Sequence, residues 1–314
     1  MSYSRIIVPL DGSALGYGAL PFATSIAQAA DATIELVHFI PPDERAREAA
    51  EQARGHPWAH PQFRVWRDPG PPYMSTFSID PAPHRREDEM EARKWLDGVA
   101  RGLRESNRVA VETAVPVGDP AEELVTIADR RRDDNVLIAM STHGRTGLAR
   151  GVMGSVTDRV MRESESPVLV VETREAPQDQ QWQPERVVLP LDTSSLSEAA
   201  IPHAITMARS FDVPVMPCSV VPPGERDQEG KIRGYLEQIE ERLRSDDLQV
   251  EAQLRQGEAA DEILEVAANT RYAMIAMSTR GLSGLKRLVL GSVTDRVIRD
   301  TTVPVLVITP EEEH

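Results

Sequence analysis

The feature that most constrains this chain is that it repeats itself. Arg5-Ile-Ile-Val-Pro-Leu-Asp11 returns as Arg186-Val-Val-Leu-Pro-Leu-Asp192, and the glycine-bearing stretch from Ser141 to Val160 returns from Ser278 to Val297. Both copies of that stretch close on Gly-Ser-Val-Thr-Asp-Arg-Val. Between the anchors the features keep one order. A helical stretch (14–30, 195–211) precedes a second apolar run (33–40, 214–221), and each run ends in Pro-Pro. A third run (109–117, 248–254) leads to Gly118 or Gly257 and to a helix opened by Asp119-Pro120 or Glu258. Fourth runs (136–140, 274–277) enter the glycine stretch, and fifth runs (167–171, 304–308) follow it. A duplication of this extent means that one architecture is built twice.

The architecture follows from the alternation. Strand-like runs nearly continuous in Val, Ile and Leu, separated by helical patterns, imply a parallel sheet covered on both faces. Each half reads β-α-β-α-β-α-β-α-β, giving an α/β fold of two tandem, doubly wound, five-stranded parallel-sheet domains of Rossmann-like type. A length of 314 residues suits two domains of about 150 residues each. The expected division is 1–174, a linker at 175–184, and 185–314. The first domain carries an insert at about 43–86, before a helix at 87–104 whose counterpart is 225–244. The insert holds Trp58, Phe63, Trp66, Tyr73 and Phe77 among seven prolines from Pro57 to Pro83. Its aromatic content favours packing over the first site or against another molecule, with a proline-stiffened surface loop as the alternative. Glu311–His314 reads as a frayed tail.

Composition limits the partners. A formal charge of −15 opposes general binding to nucleic acid or anionic membrane surfaces. No apolar run approaches the roughly 18 residues of a membrane span, and the first residues lack the pattern of an export signal. A single cysteine, Cys218, sits in an apolar run and suits a buried hydrophobe in a reducing, cytoplasmic setting.

The chemistry concentrates at the glycine stretch, where a strand's carboxyl end meets a helix N-terminus, a common site for anions. Gly154 and Gly291 let backbone amides approach a phosphate, and Ser155 and Ser292 are expected to cap the helices and offer hydroxyls. The amides of Val156, Thr157, Val293 and Thr294 point the same way, while Gly144 and Gly281 allow tight folding of the loop. Arg145, Arg150, Arg280, Lys286 and Arg287 are expected to supply mobile cations. The competing reading is that the glycines and serines serve only loop exit and helix capping. His143 invites a catalytic role, but its counterpart is Arg280, which is no neutral base at pH 7. It is assigned a positioning or phosphate-side role, and no residue is assigned as catalytic. Asp158-Arg159 and Asp295-Arg296 are read as helix-face ion pairs.

Both halves resemble universal stress protein domains, and the whole chain resembles a tandem universal stress protein. The nucleotide-binding members carry Gly-x2-Gly-x9-Gly-Ser/Thr after the fourth strand. Here the pattern is Ser141, Gly144, Gly154-Ser155 and Ser278, Gly281, Gly291-Ser292, so serine stands at the leading glycine in both copies. The resemblance implies one ATP per half, accompanied by Mg²⁺. It implies nucleoside contacts from Asp11 and Asp192, backbone adenine contacts from Phe39 and Val220, and pocket walls from Pro9, Pro190, Met140 and Met277. Asp11 and Asp192 could instead cap the turns that follow them. The family's pairing through fifth strands implies an intrachain pseudo-dimer and leaves room for a homodimer. The implied function is a nucleotide-sensing regulator of stress response with a protein partner that the sequence does not specify. Two alternatives stand beside it: a slow ATPase or nucleotide-using enzyme on the same scaffold, and a nucleotide-free scaffold. The chain lacks a Gly-x4-Gly-Lys-Ser/Thr loop, and no nucleophile, histidine and acid recur together in both halves.

Overall fold

The computed structural model describes residues 2–13, 15–41, 82–142, 153–172, 182–270, 272–281 and 290–310. Its first half runs β1 (Arg5–Pro9), α1 (Leu20–Ala30), β2 (Thr33–Val37), α2 (Ala82–Asn107), β3 (Val111–Ala114), α3 (Pro120–Arg130), β4 (Val136–Ser141), α4 (Ser155–Glu163) and β5 (Val168–Val171). The second runs β6 (Arg186–Pro190), α5 (Ile201–Phe211), β7 (Val215–Val221), α6 (Glu229–Ser245), β8 (Gln253–Gln256), α7 (Ala259–Ala268), β9 (Ala273–Ser278), α8 (Ser292–Asp300) and β10 (Val305–Ile308). The strands form one sheet in the order β3-β2-β1-β4-β5-β10-β9-β6-β7-β8. Pairing is parallel within each half and antiparallel where β5 meets β10, with Leu169 opposite Leu306. The two five-stranded sheets therefore fuse into one ten-stranded sheet through the fifth strands.

Alternating side chains along each strand feed two cores. Ile6 and Val8 belong to the core on the side of α1, α2, α5 and α6, whereas Ile7 belongs to the core on the side of α3, α4, α7 and α8. Each core contains buried residues of both halves, so the seam is sealed on both sides of the sheet. Local chemistry sets the helix ends. Asp119 caps α3 by accepting from the Glu122 amide at 3.1 Å, and Pro120 follows it in the first turn. Asp31 and Asp212, in the left-handed region at φ 52° and 54°, end α1 and α5.

Several boundaries differ from expectation. The helical stretch at 14–30 divides into a 3₁₀ turn, Gly16–Ala19, and α1; that at 195–211 divides into one turn, Ser195–Glu198, and α5. The third strands are shorter than their apolar runs because they lie at the sheet's outer edges. The α2 backbone begins at Ala82, inside the expected insert, because no helix breaker separates 84–86 from the amphipathic pattern that follows. The remainder of the insert lies outside the described residues.

The stretch expected to be linker ends in structure. Trp182 is 4% exposed and packs on Phe22 of α1 and Phe211 of α5, with ring centroids 5.0 and 5.7 Å away. It wedges an aromatic ring between the two halves. Tyr3 adds a second link, donating to His203 Nδ1 at 2.7 Å across a stacked pair of rings.

Candidate functional site

The two glycine stretches lie at the carboxyl ends of β4 and β9, beside the ends of β1 and β6. In the second half β7 runs past the end of β6, and in the first the chain beyond β2 continues past the end of β1 to a bridge between Ile40 and Val117. The Leu10 amide makes the last backbone bond from the first strand to the second, to the Val37 carbonyl at 2.8 Å, and Leu191 repeats it on Cys218 at 2.9 Å. Beyond that point Phe39 and Val220 continue, half-buried, with no neighbouring first strand to cover them. One residue earlier, His38 Nδ1 donates to the Leu10 carbonyl at 2.7 Å, and Ser219 Oγ donates to Leu191 at 2.8 Å. These bonds hold the crevice edge in both halves with different chemistry.

The following aspartates organise the next turn. Asp11 Oδ1 accepts from the Ser13 amide and hydroxyl at 2.9 and 2.7 Å, and Asp192 Oδ1 accepts from both groups of Ser194. The turn-capping role is thus present in both halves. In the second half the carboxylate also leans on the glycine loop: a Cβ on Gly281 would lie 2.1 Å from Asp192 Oδ2. Only glycine admits this approach without displacing the carboxylate.

The helix starts correct one expectation. Ser155 and Ser292 are not the caps; Gly154 and Gly291 are, in extended conformation and with no side chain to cap the helix, while the serines occupy the first helical position, exposed. The glycine amides donate to the carbonyls of Thr142 and Thr279 at 2.8 Å, and a Cβ would sit 3.2 and 3.1 Å from those oxygens. Close backbone approach therefore selects glycine here, and it displaces serine by one position. Among the described residues, the amides of Ser155, Val156 and Thr157, and of Ser292, Val293 and Thr294, have no acceptor. Among the described residues, three N–H groups at each helix start thus lack a partner, the arrangement of a helix start that can take an anion. The Thr157 and Thr294 hydroxyls are committed elsewhere, donating at 2.9 Å to the carbonyls of Ser141 and Ser278 and tying each helix to its strand.

The serines at the leading position have an account of their own. Ser278 Oγ accepts from the Arg280 amide at 3.2 Å, making a tight side-chain turn where the loop leaves β9. Ser141 is buried at the equivalent position.

In the second half the expected residues converge. Pro190 at the end of β6, Asp192 just beyond it, Val220 on β7, Met277 to Gly281 without Thr279, and Gly291 to Thr294 all line one pocket of about 330 Å³, within the range of small-molecule sites. Arg280 departs from its expected mobile role. It is 8% exposed, and its guanidinium donates to the Pro310 carbonyl at 2.7 Å, because the chain beyond β10 passes beside the loop. In the first half Pro9, Asp11, Phe39, Met140, Ser141, Gly154, Ser155, Val156 and Thr157 occupy the equivalent positions. His143, Gly144, Arg145, Arg150, Lys286 and Arg287 lie outside the described residues.

Sequence reasoning missed part of the second pocket. Cys218 lies two residues before Val220, on the same strand face, so period-two alternation pointed to it. It is buried, as expected of a small hydrophobe, and burial pushes its thiol up to about 12, which keeps it protonated and unreactive. Thr193 and Ser197 come from the turn after Asp192. Glu225, Gln228, Lys231 and Ile232 approach from the entry into α6, where the first half carries its insert instead. Nothing in the spacing of those four residues announced a ligand role. Asp158 and Asp295 do form helix-face pairs, with Arg162 and Arg299. Arg159 and Arg296 bind Asp119 and Asp261, joining α4 to α3 and α8 to α7. Among the described residues no three His, Cys, Asp or Glu side chains gather as a metal-ligand group, and no helix is long and apolar enough to cross a membrane.

Comparison with known proteins gives consistent likenesses. The model of the universal stress protein family matches residues 2–172 and again 184–309. A universal stress protein of Methanocaldococcus jannaschii is 33% identical over 137 residues, covering 39% of this chain and 81% of the relative. A universal stress protein of Mycolicibacterium smegmatis is 26% identical over 319 residues, covering 97% of each chain. Among solved structures, a universal stress protein from Archaeoglobus fulgidus superposes with a TM-score of 0.70 at 19% identity, covering 98% of this chain and 99% of the other. The last likeness concerns the fold.

Proposed function

Because the chain belongs to the universal stress protein family, we propose that it is a nucleotide-sensing regulator that holds one ATP in each half. The observation that carries this reading is the second pocket, with apolar walls, an aspartate at its rim and three amides at the start of α8 that have no acceptor among the described residues. Such a helix start stabilises an anion by about 0.3–1 kcal/mol, and by up to about 2 kcal/mol in partly buried geometry. The triphosphate would lie against Gly291–Thr294, the ribose beside Asp192 and Gly281, and the adenine under Val220. The first half would use Gly154–Thr157, Asp11 and Phe39 in the same way, within domains dividing at 1–174 and 185–314. Mg²⁺ would enter on the phosphates, a common mode for an ion that keeps several of its waters.

Binding would act by favouring one arrangement of the loops over another, and so one affinity for a protein partner over another. The fused sheet supports this as a property of one chain, since both cores cross the seam. The test is direct. The purified protein is denatured, the supernatant is separated on a nucleotide column, and the refolded or native protein is titrated with ATP-Mg²⁺ in a thermal-shift assay. Adenine nucleotide in the supernatant or a dose-dependent rise in Tm is expected; neither result with correctly folded protein overturns the reading.

A further inference from the structure

The polar residues lining the second pocket fall into two sets. One follows β6 and β9 and opens α8; the other, Glu225, Gln228 and Lys231, comes from the entry into α6. Cys218, Val220, Ile232, Ala259 and Ile263 add an apolar strip to the same pocket. The entry into α6 is a built structure. Pro222-Pro223-Gly224 turns the chain back at the end of β7, with Gly224 at φ 86° and the Glu225 amide donating to the Pro222 carbonyl at 3.1 Å. Glu229, the first residue of α6, accepts from Gln256 Nε2 at the end of β8, at 3.1 Å. Gln228 Nε2 donates to Glu225 Oε2 at 2.7 Å. A carboxylate only accepts, so this bond fixes which end of the Gln228 amide is nitrogen and leaves an Oε1 acceptor beside a second N–H.

We propose that Gln228 selects the base in the second site: its amide takes a purine edge that offers an amino donor beside a ring-nitrogen acceptor, as adenine does, and rejects one that offers a keto oxygen there. This rests on the nucleotide reading, in which the base lies under Val220, and adds a side-chain reader to it. The first half is built differently at the same place. Leu96 and Leu236 are buried in α2 and α6. Beside them, Trp95 Nε1 donates to the Tyr17 hydroxyl at 3.0 Å and the Tyr235 hydroxyl donates to Glu198 at 3.1 Å. Tyr17 and Glu198 each stand six residues after a turn aspartate, so the two helices share one register. In that register Asp88 and Glu91 occupy the places of Gln228 and Lys231. A carboxylate accepts without donating, so the first half lacks the paired donor and acceptor. Base selection by this edge belongs to the second site alone.

The test uses the full chain with its first site silenced by Ser155→Glu. That residue is exposed at the first position of α4, where an acidic side chain suits the helix and repels phosphate. Binding of ATP and of inosine triphosphate, which carries a keto oxygen in place of the amino group, is measured by calorimetry for this background and for added Gln228→Ala. Gln228 is exposed at the end of a 3₁₀ turn, so the variant is expected to fold with an unchanged Tm. The background should bind ATP about tenfold more tightly than inosine triphosphate, and Gln228→Ala should bring the two within about twofold by weakening ATP. A background without preference, or a preference that the variant keeps, overturns the proposal and leaves the nucleotide reading standing. A common fall for both ligands with their ratio kept would mean that Gln228 only supports the fold, and tighter binding of inosine triphosphate would assign the edge to Lys231, a donor only; each overturns it as well. If the background binds neither nucleotide, the nucleotide reading of this site fails and the base selection with it.

Discussion

Thr193 and Gly12 hold the same place in the two halves, one residue beyond the turn aspartates, and both have positive φ, 71° and 80°. Glycine adopts this conformation at little cost, whereas a β-branched side chain is strained in it by roughly 1–3 kcal/mol. The strained residue lines the second pocket. Replacing Thr193 with glycine is expected to raise stability by about 1 kcal/mol, the relief of strain exceeding the added freedom of the unfolded chain. Urea unfolding checks this, and an unchanged or lower midpoint would show that the threonine side chain makes compensating contacts. At this scale the two copies are unequal although their patterns match.

At the scale of elements, the strongest device is the aromatic wedge of Trp182 between α1 and α5. Trp182→Ala removes a buried ring from the core that spans both halves, which costs about 3–5 kcal/mol. A loss below about 1 kcal/mol in chemical unfolding would mean that the halves do not depend on it. Much of the element plan was legible in the sequence. The repeated Pro-Leu-Asp strands, the Asp119-Pro120 helix start and the Val/Ile/Leu runs carry their chemistry locally, so the succession of strands and helices along the chain and their layering followed. Trp182 was not legible, because a Gln- and Pro-rich neighbourhood reads as linker and its partners lie more than twenty residues away in both directions. The glycine caps were misread for a related reason. Gly-Ser before a helix suggests a serine cap, and only the carbonyls of Thr142 and Thr279, brought close by the fold, assign the cap to glycine. Arg280 looked like a loop cation until Pro310, thirty residues onward, supplied its acceptor.

At the scale of the molecule, one ten-stranded sheet with two shared cores makes the halves mechanically continuous. The Tyr3–His203 pair is part of that continuity and gives it a pH dependence. Burial lowers the His203 pKa to about 4, below the value of about 6.5 expected in the unfolded chain. As pH falls from about 6.5 toward 4, the unfolded chain takes up a proton that the folded chain refuses, so stability is lost across that window, by up to about 3 kcal/mol. Unfolding at pH 7 and pH 4.5 should therefore show a drop that His203→Gln reduces, since glutamine does not titrate. An equal drop in both proteins would assign the acid sensitivity to other groups.

The central claim is that each helix start, at Ser155 and at Ser292, holds the phosphates of one ATP. The most direct measurement is the calorimetric stoichiometry of ATP-Mg²⁺ binding to the intact chain and to the Ser155→Glu, Ser292→Glu and double variants. Both positions are exposed and accept an acidic residue in the first helical turn, so the fold should persist. Two ATP per chain are expected for the parent, one for each single variant and none for the double. Two sites that survive in the double variant, or a parent that binds no ATP, would contradict it.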